Sequence, residues 1–191
     1  MKTRDAAGRV LVLGVGNTLY GDDGAGYCLV RAVEACGGVE GARLEAVQRL
    51  NPGHFSLLEG YDWVVFVDAA VLPDMPGDAD AGLVELDPSR LSEEEIAEIV
   101  MATDPHGMDP VRLLVLGRAA GVYNGKGLLV AVRPRRIEFM EGLSGETVKV
   151  LSGKALGYLE EALARLGARL RADRGCVARW LSENCRGPVL D

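Results

Sequence analysis

Three uninterrupted apolar runs constrain the fold more than any other feature of the chain. They are Val-Leu-Val-Leu-Gly-Val15 after Arg9, Trp63-Val-Val-Phe-Val67, and the segment Leu128 to Val132. Runs this short and this continuous suit strands buried on both faces of a parallel sheet, where no side chain meets water. Between them the pattern turns helical. An apolar stripe of Ala25, Cys28, Leu29, Ala32, Val33 and Cys36 is stopped by Gly37-Gly38, as expected of a helix C-terminus. Arg43–Gln48 and Gly82–Leu86 read as further strands, and Pro52–Glu59 and Val111–Ala120 as helices. Ser92-Glu-Glu-Glu95 has the pattern of a capping box opening a helix to about Ala102. Strands alternating with helices predict an α/β protein: one three-layer αβα domain with a mostly parallel, twisted sheet of about five strands.

With 191 residues, a single domain is expected, spanning 1–170, with 171–191 as a charged, mixed tail. Leu156, Leu159, Leu163, Leu166 and Leu170 recur at helical spacing before that tail. Apolar residues make up 48% and charged residues 26%, as in ordinary soluble domains. The net charge of −7 speaks against nucleic acid and anionic membrane as partners, and is compatible with a monomer. The longest uncharged run, Val10 to Gly21, is far below the roughly 20 residues of a membrane span. Met1–Arg9 is polar and has no signal-peptide core, so the expected location is cytoplasmic. Cys28, Cys36, Cys176 and Cys185 form no CxxC pair. Cys28 and Cys36 sit eight apart on one helix, too far to bridge each other, and burial in the stripe accounts for them.

In parallel sheets, ligands bind beyond the carboxyl ends of the strands, so the residues after Val15 and Val67 matter most. The first strand runs into Gly14-Val-Gly16-Asn17-Thr-Leu-Tyr-Gly21-Asp22-Asp23-Gly24-Ala-Gly26. A glycine-rich turn here suggests nucleotide binding, but Leu19 occupies the place of the third fingerprint glycine, and Asp22 and Asp23 stand where a P-loop has Lys and Ser or Thr. Carboxylates at that place repel phosphate. Asp22 reads as a helix cap. Asp23 has a second use, since paired carboxylates suit a divalent cation. Asp68 closes an apolar strand at the mouth of the sheet, and His106 stands in a Pro-His-Gly loop. His54 is a weaker candidate for the same role. Asp23, Asp68 and His106 together offer two oxygens and an imidazole nitrogen, a set that can face a metal while leaving a position open.

Val12–Gly26 as a whole resembles the N-terminal signature of the nickel–iron hydrogenase maturation endopeptidases. Val64-Val-Phe-Val-Asp-Ala-Ala70 is similar to their second strand motif, Asp104-Pro-His-Gly107 to their histidine loop, and Leu128–Pro134 with Ile137-Glu138 and Leu143-Ser144 to their closing segment. The resemblance runs from about Val10 to Leu166. It implies an enzyme that removes a C-terminal extension from a hydrogenase large-subunit precursor after nickel insertion. It assigns the nickel contacts to Asp23, Asp68 and His106, with nickel supplied by the substrate, so that the resting enzyme need carry no metal. The chain departs from the family at Gln48-Arg-Leu-Asn-Pro-Gly-His54, where members have a Gly-Thr stretch that helps recognise substrate. There is no HExxH and no GxSxG. The alternative reading is a nickel-checkpoint chaperone that binds the immature subunit without cutting it.

Overall fold

A computed structural model describes residues 9–72, 79–101 and 108–187. The sheet at its centre has five strands in the order β3-β1-β4-β6-β5. They are β1 (Val10–Val15), β3 (Ala42–Val47), β4 (Trp63–Ala69), β5 (Ala81–Leu86) and β6 (Lys126–Val132). β3, β1, β4 and β6 run parallel, and β5 lies antiparallel on the edge beside β6. The αβα expectation therefore holds, with one edge strand reversed.

Alternation along the strands divides the core into two halves. Val10, Val12, Val65, Val67, Leu128, Val130 and Val132 face one side, under α1 (Ala25–Ala35) and α6 (Leu156–Arg165). Leu11, Leu13, Val64, Phe66, Leu129 and Ala131 face the other, under α2 (Phe55–Leu58) and α4 (Pro110–Ala119). Because both faces are covered, the central strands read as continuous apolar runs. The capping box is formed: Ser92 N–H donates to Glu95 at 2.7 Å and Glu95 N–H to Ser92 Oγ at 3.2 Å, opening α3 (Glu93–Met101).

Two expectations need correction. The leucine stripe does not continue as one helix to Leu170. α6 ends at Arg165, and Leu170 belongs to β7 (Arg169–Leu170), which pairs with β2 (Val39–Glu40). The reversal at Gly167, with φ of 77°, breaks the helix that the spacing alone would extend. Burial alone does not account for the cysteines: Cys28 is bonded to Cys185 and Cys36 to Cys176. These bonds fasten to α1 a helix within the expected tail, α7 (Arg174–Asn184), capped by Asp173 through Cys176 N–H at 2.7 Å. No helix among the described residues is long and apolar enough to cross a membrane. The loop expected at Pro73–Asp80 lies largely outside the described residues.

Candidate active site at the carboxyl ends of β1 and β4

Close backbone approach decides where the site forms. A Cβ on Gly26 would stand 1.9 Å from the Val67 carbonyl oxygen and 2.4 Å from that of Val15. Glycine alone lets the start of α1 press against the ends of β1 and β4. Gly16, at φ of 150°, meets the Asp23 carbonyl oxygen in the same way, at 2.0 Å. The turn between β1 and α1 is thereby folded tightly back, and Asp23 is delivered to the end of β4, where Asp68 stands.

Asp23 and Asp68 line one open cavity of about 250 Å³, with Asn17, Gln48, Arg49 and Asp109 among its other walls. One Asp23 oxygen accepts the Asn17 N–H at 3.0 Å, which aims the carboxylate. Burial, reinforced by the nearby Asp23 charge and to a smaller degree by Asp109, pushes the Asp68 carboxyl up to about 7, although a hydrogen bond from the Ala69 backbone works against the shift. A cation entering the cavity would relieve that repulsion. His106 lies outside the described residues, but Met108 forms an antiparallel bridge with Leu50 and lines the cavity. Among the described residues, no group of three or more His, Cys, Asp or Glu could hold a metal ion.

Asp22 does not cap a helix. It is fully buried, and its carboxylate accepts from Arg135 N–H (2.8 Å), Arg136 N–H (2.9 Å), Ser144 N–H (2.7 Å) and Ser144 Oγ (3.1 Å). Adjacent acids thus have opposite tasks: Asp22 ties the turn to the 134–144 segment, and Asp23 faces the cavity. His54 is taken up locally, its Nδ1 accepting the Asn51 N–H at 3.1 Å, and it does not line the cavity. Gln48 reaches Thr18, accepting its N–H at 2.9 Å, so the divergent stretch supplies a wall of the site. Asp109 was not singled out from the sequence. Its signal was there as an N-cap before Pro110.

The chain resembles solved structures in fold. It matches the hydrogenase maturating endopeptidase HybD from Escherichia coli with a TM-score of 0.67 and 24% identity, over 87% of this chain and 99% of that one. A hydrogenase 2 maturation peptidase from the Thaumarchaeota archaeon SCGC_AB-539-E09 matches with a TM-score of 0.57 and 29% identity, over 81% of this chain and 97% of that one. The [NiFe] hydrogenase maturation protease HycI from Thermococcus kodakarensis KOD1 matches with 0.56 and 18%, over 83% and 91%. No family model and no curated protein matches the chain. The family that the sequence motifs resemble is therefore also the one whose fold the chain shares.

Proposed function

We propose that the protein is a processing endopeptidase that removes the C-terminal extension of a nickel–iron hydrogenase large-subunit precursor once nickel is in place. The observation that carries this reading is the convergence of Asp23 and Asp68 in one cavity at the strand ends. It is supported by the likeness of the fold to structures named as hydrogenase maturation peptidases. In this reading the nickel belongs to the substrate. Asp23, Asp68 and His106 complete its coordination, with oxygen and imidazole donors compatible with that ion. What the ion supplies is Lewis acidity toward the scissile carbonyl or the attacking water. The protein's own groups supply placement: Asn17 aims Asp23, and the β4 backbone presents Asp68. Hydrolysis consumes one water and releases the C-terminal peptide, and the expected setting is the cytoplasm.

The test is mass spectrometry of a nickel-loaded precursor incubated with the protein, beside a nickel-free precursor. Loss of a C-terminal peptide only with nickel is the expected result. Asp23→Asn and His106→Ala should each slow cleavage by more than about a hundredfold, since removing even an outer partner of a metal ligand costs 10–100-fold. Binding of the natural precursor without cleavage would instead favour the checkpoint chaperone.

A further inference from the structure

Large apolar side chains stand exposed on the Asn17–Asp23 turn, whose two ends line this cavity, and on the segment hydrogen-bonded to that turn. Tyr20 is 40% exposed, Ile137 56%, Phe139 62% and Met140 47%, and the Tyr20 and Phe139 rings lie 5.3 Å apart. Tyr20 sits in the turn between Asn17 and Asp23, both of which line the cavity, and the other three follow β6. Three backbone hydrogen bonds zip the two segments together: Gly21 N–H to Glu141 O (2.9 Å), Asp22 N–H to Arg136 O (2.8 Å) and Met140 N–H to Leu19 O (2.7 Å). The buried Asp22 carboxylate fastens them again through Arg135, Arg136 and Ser144. Held this way, the two segments present these apolar side chains at the surface. Met140 is even kept at φ of 61°, a left-handed conformation unfavourable to a residue with a Cβ. The pairs Arg136–Glu141 and Arg135–Asp80 border the cluster, giving the apolar centre and polar rim of a protein interface.

We propose that this cluster is the docking surface for the hydrogenase large-subunit precursor, seating an apolar patch of that subunit beside the segment to be cut; this rests on the function proposed above. Two observations select that occupant. The cavity, at about 250 Å³, is at the lower edge of the roughly 300–1,000 Å³ of a small-molecule site. It takes little more than the residues at the scissile bond, so affinity for a whole subunit has to come from outside it. The cluster is also joined to the cavity wall through the turn in which Tyr20 stands, hydrogen-bonded to Asn17 on one side and Asp23 on the other. A partner resting on it holds its own C-terminus at high effective concentration over Asp23 and Asp68. A second copy of this chain would bring together two bodies of net charge −7, which repel.

The experiment compares wild type, an Ile137→Ser/Phe139→Ser double variant and a Phe139→Leu control on the nickel-loaded precursor. The exposed positions leave the unfolding midpoint unchanged. The double variant should raise KM about tenfold or more at unaltered kcat, while Phe139→Leu stays near wild type. Cleavage with the same KM in all three proteins overturns the docking surface and leaves the function standing. A fall in kcat at constant KM overturns it as well, placing the loop in the chemistry. Absence of cleavage by wild type overturns both. Sedimentation of wild type as a dimer that the double variant dissolves overturns the choice of occupant in favour of a second copy.

Discussion

Asp22 and Ser144, 122 positions apart, meet through two hydrogen bonds, from the Ser144 N–H at 2.7 Å and from its hydroxyl at 3.1 Å. The same hydroxyl accepts the Thr147 N–H at 3.2 Å and caps α5 (Gly145–Val150). One serine therefore starts a helix and anchors the glycine-rich turn. Asp22→Ala would strand four donors around a buried hole, and we expect a loss of about 3 kcal/mol or more in urea denaturation. Ser144→Ala keeps the N–H bond and loses the hydroxyl and the cap, for about 1–2 kcal/mol. Equal losses in the two variants would contradict this division of labour.

Asp68 sets a pH dependence with a definite sign. Its carboxyl titrates near 7 when folded and near 3.9 when unfolded. The folded state therefore holds the extra proton, and stability falls as pH rises from about 4 to 7. Asp68→Asn removes that penalty. It should match wild type near pH 3 and exceed it by a few kcal/mol at pH 8, read from denaturation at both pH values. Site function would be lost in the same variant, the usual conflict between a strained site and stability.

The same carboxyl must be ionised to face a cation, so kcat/KM for the precursor should rise through pH 7 and then level off. Asp109 contributes to the upward shift through its charge. Asp109→Asn keeps the α4 cap, because Asn caps as well as Asp, and should move that rising limb to lower pH. A limb that stays in place would remove Asp109 from the electrostatics of the site.

Strand positions were legible because burial on both faces forces unbroken apolar runs, as in Val64–Val67. Asp68 was legible as a polar residue closing such a run, and Asp23 as one of two adjacent acids in the glycine-rich turn that follows another. The direction of β5 was not, since Ala81–Leu86 has the same composition in either orientation. β2 and β7 are two residues each, too short for any periodicity. The pairing of the cysteines was invisible for another reason. Partners 157 and 140 positions apart leave no local spacing signal. α7 left no apolar stripe to read because it buries only Val177 and Leu181, and two bridges add to its packing.

The two bridges make a covalent prediction. Cys28 and Cys185 are nearly inaccessible, at 1% and 2% exposure, so alkylation of the folded protein should leave them untouched. Unfolded without reductant, the protein should show no free thiol and a mass lower by the hydrogens of two bridges. Each closes a loop longer than 100 residues, worth roughly 4–5 kcal/mol in the chain-entropy model, with less for the second of a nested pair. Reduction should therefore lower the unfolding midpoint steeply. Such bridges persist in oxidising compartments or in the cytoplasm of hyperthermophiles, so their presence in protein purified under oxygen-free, thiol-blocking conditions bears directly on the cytoplasmic setting. Four free thiols would remove α7 from the covalent frame.

The approach of α1 to the strand ends can be tested at Gly26. A methyl group there meets the Val67 carbonyl at 1.9 Å, and Val67 is the residue before Asp68. The helix start would have to retreat, carrying Asp23 away from the cavity. Gly26→Ala should cost about 3 kcal/mol or more, at the upper end of overpacking effects, and should abolish cleavage even where the protein remains folded. Gly157 is the control. It lies in α6 with nothing within 4 Å of an added Cβ, so Gly157→Ala should stabilise by roughly 0.5–1 kcal/mol through helix propensity. Denaturant titrations of both variants decide the matter. Tolerance at Gly26 would mean that the turn is not packed tightly enough to place Asp23 against Asp68, and the site would have to be assembled by some other contact.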